Sequence, residues 1–144
     1  MKGNKLMLKT YSISQVSEIL QIPSSTIRYY DGLELLPRLR KSANGVRQFS
    51  QNDINTLRII ECLKRAGLSM KEIKRFTELS QQGDASLQER RELFYNAREN
   101  FAKKLAQMQE TMKVLDFKCA YYDQALVDGT EKSVQEDMSL GNVV

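Results

Sequence analysis

The sequence predicts a mainly α-helical protein, with a winged helix-turn-helix in its N-terminal half and a long coiled-coil helix in its C-terminal half. Three observations carry this. Two short amphipathic segments separated by Pro23 precede a basic stretch built around Asn44-Gly45. Ser-x-x-acid boxes recur at Ser50, Ser69 and Ser86, and each is a start signal for a helix. The span Leu87 to Leu126 contains neither proline nor glycine, so nothing in it interrupts a helix.

The first short helix is expected to be N-capped by Ser14 and to turn Val16, Ile19 and Leu20 inward. Pro23 ends that segment. Ser24 or Ser25 can cap the second helix, which carries Thr26, Ile27, Arg28, Tyr29 and Tyr30. Two short helices with a tight connection, the second bearing polar and basic groups, form a helix-turn-helix pattern. Arg38, Arg40, Lys41 and Arg47 then surround Ser42-Ala43-Asn44-Gly45. Asn-Gly tolerates positive φ and marks a β-hairpin. A small basic hairpin in this place is a wing, the other reading being a solvated loop.

Three capped helices follow. Ser50-x-x-Asp53 opens one with Ile54, Leu57, Ile60 and Leu63 at core spacing, ending at Gly67. Ser69-x-x-Glu72 opens a second with Ile73, Phe76 and Leu79. Ser86-x-x-Glu89 opens the last and longest. Its apolar residues Phe101, Leu105, Met108, Met112, Leu115, Cys119, Tyr122 and Leu126 step by four and three in strict alternation, which is a heptad seam. Phe94 and Ala97 precede it out of register, as a stutter. A helix of this length spans roughly 60 Å, too long for a small domain to bury. A second copy of the chain is the simplest partner for its seam. The resulting plan is a DNA-binding-type module over 10–80, a linker over 81–85, the pairing helix over 86–126 and a polar tail over 127–144, expected to be mobile.

Composition narrows the function. The chain has 144 residues and a net charge of +4. That charge divides into +7 up to Ser80 and −3 beyond it. A basic module joined to a mildly acidic element fits nucleic-acid binding, whereas an uneven solvated surface is the plainer reading. There is no histidine, which removes histidine triads and histidine-ligated zinc. Nor is there a phosphate-cradling glycine loop or an isolated carboxylate pair, so an enzyme is not expected. No apolar run is long enough for a membrane span, and Met1 to Tyr11 lacks a signal-peptide core. A cytoplasmic location without membrane contact is therefore expected. Two cysteines, Cys62 and Cys119, cannot complete a four-ligand zinc site within one chain, and no cofactor is implied.

The run Thr26-Ile27-Arg28-Tyr29-Tyr30-Asp31, then Leu35-Leu36-Pro37, Gly45-Val46-Arg47-Gln48-Phe49 and Gly67-Leu68-Ser69-Met70-Lys71-Glu72-Ile73, resembles the MerR family of transcriptional regulators. Ile60-Glu61-Cys62-Leu63-Lys64 and Phe117-Lys118-Cys119-Ala120-Tyr121-Tyr122 further resemble small members, some of which respond to aldehydes or other electrophiles. The resemblance implies an antiparallel coiled coil between two subunits. It implies a homodimer on a pseudo-palindromic operator in double-stranded promoter DNA, distorting that DNA so that RNA polymerase can engage or is blocked. Carried over by position, Ser25 and Thr26 open the recognition helix, whose N-terminal residues face base edges in the major groove, and Arg28 and Tyr29 hold phosphates and can touch bases. Tyr30 is equally suited to the core. Arg47 clamps a phosphate from the wing, and Arg38, Arg40 and Lys41 add screened contacts.

One departure stands out. The family ends its recognition helix on glycine, but here glycine sits at 32 and Glu34 takes the C-cap place. Either Glu34 adopts positive φ or the helix stops at Gly32. Cys62, near Lys64 and Arg65, is the candidate sensor thiol, or else a small core residue. A coiled-coil adaptor whose basic module binds a protein is the competing functional class.

Overall fold

The computed structural model describes residues 9–137. It contains α1 (Ile13–Leu20), α2 (Ser24–Gly32), β1 (Arg40–Lys41), β2 (Arg47–Gln48), α3 (Gln51–Arg65), α4 (Met70–Gln81), a 3-10 turn (Gly83–Ser86), α5 (Leu87–Asp128) and α6 (Lys132–Asp137). The architecture is mainly helical, with a helix-turn-helix, a two-stranded wing and a long C-terminal helix, as the sequence predicts. The chain divides into two compact units, Met1–Arg98 and Glu99–Val144.

In the first unit, Val16, Ile27, Tyr30, Leu35, Phe49, Ile54, Leu57, Ile60, Leu63 and Ile73 form a fully buried core. The i, i+3 spacing of Ile54, Leu57, Ile60 and Leu63 places one face of α3 at its centre. Capping boxes fix two helix starts as expected: Ser50 with Asp53 for α3 and Ser69 with Glu72 for α4. Phe94 packs edge-on against Phe76 at 5.3 Å, and Ala97 is buried. The register break before Phe101 thus separates residues that pack on their own globular unit from the heptad seam beyond them.

Several local expectations are corrected. The N-cap of α1 is Ser12, not Ser14. Ser12 Oγ accepts from Gln15 N–H, and Gln15 Oε1 accepts from Ser12 N–H, a reciprocal box that leaves Ser14 inside the helix. Ile19 does not turn inward. It is exposed, whereas Val16 is fully buried. Neither Ser24 nor Ser25 caps α2. Pro23 does, with its carbonyl accepting from Thr26 and Ile27. Ser86 does not cap α5 through Glu89. Its buried hydroxyl lies against the Leu79 and Gly83 carbonyls and accepts from Arg90 Nε. Glu89 instead pairs with Arg75 at 3.1 Å.

The end of α2 satisfies both alternatives at once. The helix stops at Gly32, and Glu34 has φ 63°. Leu35 N–H donates to the Tyr30 carbonyl (3.1 Å) and Glu34 N–H to that of Asp31 (2.9 Å). That pair of bonds is a Schellman closure with a non-glycine residue in the left-handed position.

In the second unit, residues 132–137 of the tail form the short helix α6. Gly129 turns the chain with φ 74°, and Val134 buries against Tyr121, Ala125 and Phe117. Tyr121 Oη donates to Glu131 Oε1 at 2.9 Å. The remaining tail, 138–144, lies outside the described residues. Along α5 the seam residues Phe101, Leu105, Met108, Met112, Leu115, Tyr122 and Leu126 are 43% to 82% exposed, and Cys119 is exposed with them. A row of large apolar side chains exposed at heptad spacing is a surface suited to pairing with another helix.

Candidate nucleic-acid interface

The helical period decides what α2 presents. Ile27 and Tyr30 are fully buried, which anchors one face. Ser25, Arg28 and Tyr29 are exposed on the opposite side, at the i, i+3, i+4 spacing that makes one stripe. Thr26 is half-buried between the two. The exposed stripe thus carries a hydroxyl, a guanidinium and a phenol, groups that donate to phosphates and base edges.

The wing is a two-residue ladder in which Arg40 faces Gln48 and Lys41 faces Arg47. Ser42 N–H and Val46 O close it at 2.8 Å, and Gly45 N–H returns to Ser42 O at 2.9 Å. In the loop only Gly45 takes positive φ, at 79°, so the Asn-Gly pair works through its glycine alone. Tyr11 exchanges hydrogen bonds of 2.8 and 2.9 Å with Phe49 and ties the base of the wing to the start of α1. No local sequence signal marks that bridge.

Lys41 and Arg47 are like charges directly across the ladder, which is unfavourable by itself. Asp31, at the end of α2, resolves it. Arg47 Nε donates to Asp31 Oδ2 at 2.8 Å, and Lys41 Nζ lies 3.8 Å from the same oxygen. The structure therefore joins Arg47 and Lys41 through a residue that sequence reasoning did not single out. The signal was present as a cross-strand cation pair needing a counter-charge. Arg40 is exposed on β1. Arg38 lies elsewhere: it lines a cavity of about 300 Å³ with Asn52, Thr56, Thr77 and Arg90.

A second linkage was also missed. The Tyr30 hydroxyl donates to Glu61 Oε2 and accepts from Lys64 Nζ at 3.2 Å. Burial, then the Glu61 carboxylate, raises the Tyr30 phenol far above its ordinary range. Cys62 stands between these two partners on α3, with its thiol exposed and not in the core. Among the described residues no cluster of three or more His, Cys, Asp or Glu is placed to hold a metal, and no helix is long and apolar enough to cross a membrane.

A winged helix-turn-helix with a polar and basic recognition stripe defines a DNA-binding protein. Known proteins agree. The MerR HTH family regulatory protein model matches residues 11–79, and a MerR DNA-binding model matches 54–116. An HTH-type transcriptional regulator of Haemophilus influenzae is 35% identical over 125 residues, which is 87% of this chain and 93% of that one. The crystal structure of HiNmlR, a MerR family regulator lacking the sensor domain and bound to promoter DNA, is 35% identical. It aligns with a TM-score of 0.79 over 88% of this chain and 100% of its own. A MerR family regulator from Bacillus thuringiensis is 30% identical, with a TM-score of 0.72 over 78% and 98% of the two chains. The chain belongs to the MerR family of DNA-binding transcriptional regulators.

Proposed function

We propose that two copies of this chain pair through α5 as an antiparallel coiled coil and bind a pseudo-palindromic promoter operator. The observation that carries this reading is the uncovered heptad seam on the same chain as the exposed α2 stripe. A twofold dimer repeats the recognition helix about a dyad, and the operator then has to mirror that symmetry. Phosphate contacts from Arg28, Tyr29, Arg40, Lys41 and Arg47 offset the energy of bending and untwisting the DNA between the half-sites, and Arg28 and Tyr29 also reach base edges in the major groove. That distortion sets how RNA polymerase meets the promoter. Ser25 and Thr26 lie at the N-terminal end of the recognition helix, where base edges are read. Arg38 contributes long-range attraction.

Cys62 is the proposed sensor of electrophilic or oxidative stress. Its thiol is exposed, and it lies on α3 between the two residues that hold Tyr30 of the recognition helix. An adduct there adds bulk to the exposed face of α3 and is proposed to alter the fit to DNA.

The test is retention of the protein's own upstream DNA across a salt series. Arg28→Ala and Arg47→Ala should each weaken binding and reduce the slope of log K against log salt by about one. Absence of any salt-dependent retention by the native protein would return the adaptor reading. For the sensor, an electrophile should alter the native footprint and leave that of Cys62→Ser unchanged. An identical response in both proteins removes Cys62 from the mechanism.

A further inference from the structure

A fully buried tyrosine in an apolar core is an expensive choice unless its hydroxyl does something a phenylalanine cannot. Tyr30 has no exposed surface, so its ring supplies the same apolar contact that phenylalanine would. The hydroxyl must then be satisfied inside the fold. Two residues of α3 satisfy it. Lys64 Nζ donates to the phenol oxygen at 3.2 Å, and the phenol proton is donated to Glu61 Oε2. Lys64 also sits 5.6 Å from the centre of the Tyr30 ring. The result is a Lys–Tyr–Glu chain across the α2–α3 contact, in which each bond polarises the next.

The geometry of α2 gives that chain its consequence. Tyr30 immediately follows Tyr29 and lies two residues after Arg28, both exposed on the opposite side of the helix. Ile27, the other buried anchor on this helix, makes a purely apolar contact, which is non-directional. Such a contact resists separation of the helices but only weakly resists rotation of α2 about its own axis. A hydrogen bond is directional and does resist it. The Tyr30 hydroxyl is therefore the tie to α3 that, with the Asp31–Arg47 bond to the wing, fixes the angle at which Arg28 and Tyr29 leave the core. Base-edge hydrogen bonds depend on that angle, whereas attraction to phosphates depends on it far less.

We infer that Tyr30, clasped by Glu61 and Lys64, is a specificity-determining positioning residue of the DNA interface. It acts through Arg28 and Tyr29 without itself meeting DNA. The inference rests on α2 being the recognition helix. It separates two properties that usually fall together, affinity for the operator and affinity for DNA in general.

The experiment uses the full chain and two duplexes of equal length, its own promoter operator and a scrambled sequence. Binding is read by fluorescence anisotropy over a salt series, alongside thermal melting. Tyr30→Phe keeps the ring and removes the tie. It should weaken operator binding about tenfold, the scale of one well-placed base contact, with binding to scrambled DNA and its salt slope unchanged. Lys64→Met and Glu61→Ala, on half-buried or exposed side chains, should give the same pattern and keep the test open if Tyr30→Phe folds poorly. Because all three break one chain, the loss in Tyr30→Phe combined with Glu61→Ala should be well short of the sum of the single losses. An unchanged operator-to-scrambled ratio in these variants overturns the inference. So does a parallel loss on both duplexes that tracks the melting temperature, since that is the signature of simple destabilisation. If the native protein itself failed to prefer the operator, the recognition-helix reading would fall, and the clasp with it.

Discussion

Arg47 Nε and Asp31 Oδ2 lie 2.8 Å apart, joining the wing to the end of α2. Their side chains are only 26% and 16% exposed, so the pair is less screened than an ordinary surface bridge. Asp31 both aims Arg47 and subtracts a charge from a surface that should attract phosphates. Asp31→Asn is therefore expected to strengthen binding to scrambled duplex and to steepen its salt slope by roughly one, as Arg47 and Lys41 become free for phosphates. The operator preference should fall in the same variant, because Arg47 loses what orients it. Anisotropy titrations on both duplexes measure the two effects together. A uniform loss of affinity with no change of slope would contradict this role.

What the sequence made legible was local. Ser50 with Asp53 and Ser69 with Glu72 lie within one turn of each other, so short-range spacing was enough to place α3 and α4. The heptad seam of α5 is likewise a one-dimensional pattern. What it hid depends on tertiary contact. One local signal was also missed, since Ser12 and Gln15 stand at the same i, i+3 spacing and their reciprocal bonds select Ser12 over Ser14. Ser86 looks like a cap until the Leu79 carbonyl comes within reach of its hydroxyl. Val134 is the one apolar residue between Gly129 and Asp137, and α6 buries it against Tyr121 and Ala125. In the candidate interface the cations were legible from their motif positions. The groups that aim them, Asp31 and the Glu61–Lys64 pair, lie 16 to 34 residues from their partners.

The misplaced glycine gives a stability prediction. Glu34 holds φ 63°, and a left-handed conformation costs a non-glycine residue about 1 kcal/mol. Its pairing with Lys74 at 3.7 Å, with Glu34 80% exposed, offsets little of this. Glu34→Gly should therefore stabilise the chain by about 0.5–1 kcal/mol, after allowing for the greater freedom of glycine in the unfolded state. Gly32 is helical, and a Cβ added there meets nothing within 4 Å, so Gly32→Ala should add up to about 1 kcal/mol. Denaturant melts of each variant, with an unchanged slope against denaturant, would verify both. Destabilisation by Glu34→Gly would mean that the closure does not limit stability.

The N-terminus of α4 should make stability depend on acid. Hydrogen bonds from the Ser69 backbone and then its hydroxyl hold the Glu72 carboxyl below its ordinary value of 4.5. A carboxyl lowered in the folded state contributes stability that is fully present above its unfolded value. That contribution is lost as pH falls through the folded value. Glu72→Gln keeps an acceptor for the capping box but carries no titratable proton. Melting temperatures followed from about pH 6 to about pH 3 should therefore fall more steeply for the native chain than for the variant. Parallel curves would show that the Ser69–Glu72 box carries no charge-dependent stability.

The seam itself predicts the register of the proposed dimer. Its alternating steps read the same in both directions, so reversing one copy superposes every apolar position on another. An antiparallel pair then sets Phe101 opposite the partner's Leu126 and Leu105 opposite the partner's Tyr122. It likewise sets Met108 opposite the partner's Cys119 and Met112 opposite the partner's Leu115. A parallel pair would instead set Cys119 against the partner's Cys119, within disulfide reach. Disulfides form only when the two Cα atoms come within about 7 Å, so crosslinking distinguishes the two arrangements. In a Cys62→Ser background, mild oxidation should leave the chain monomeric on a non-reducing gel. Adding Met108→Cys should convert it to a covalent dimer through Cys119. Efficient crosslinking through Cys119 without the introduced cysteine would reverse the orientation of the coiled coil.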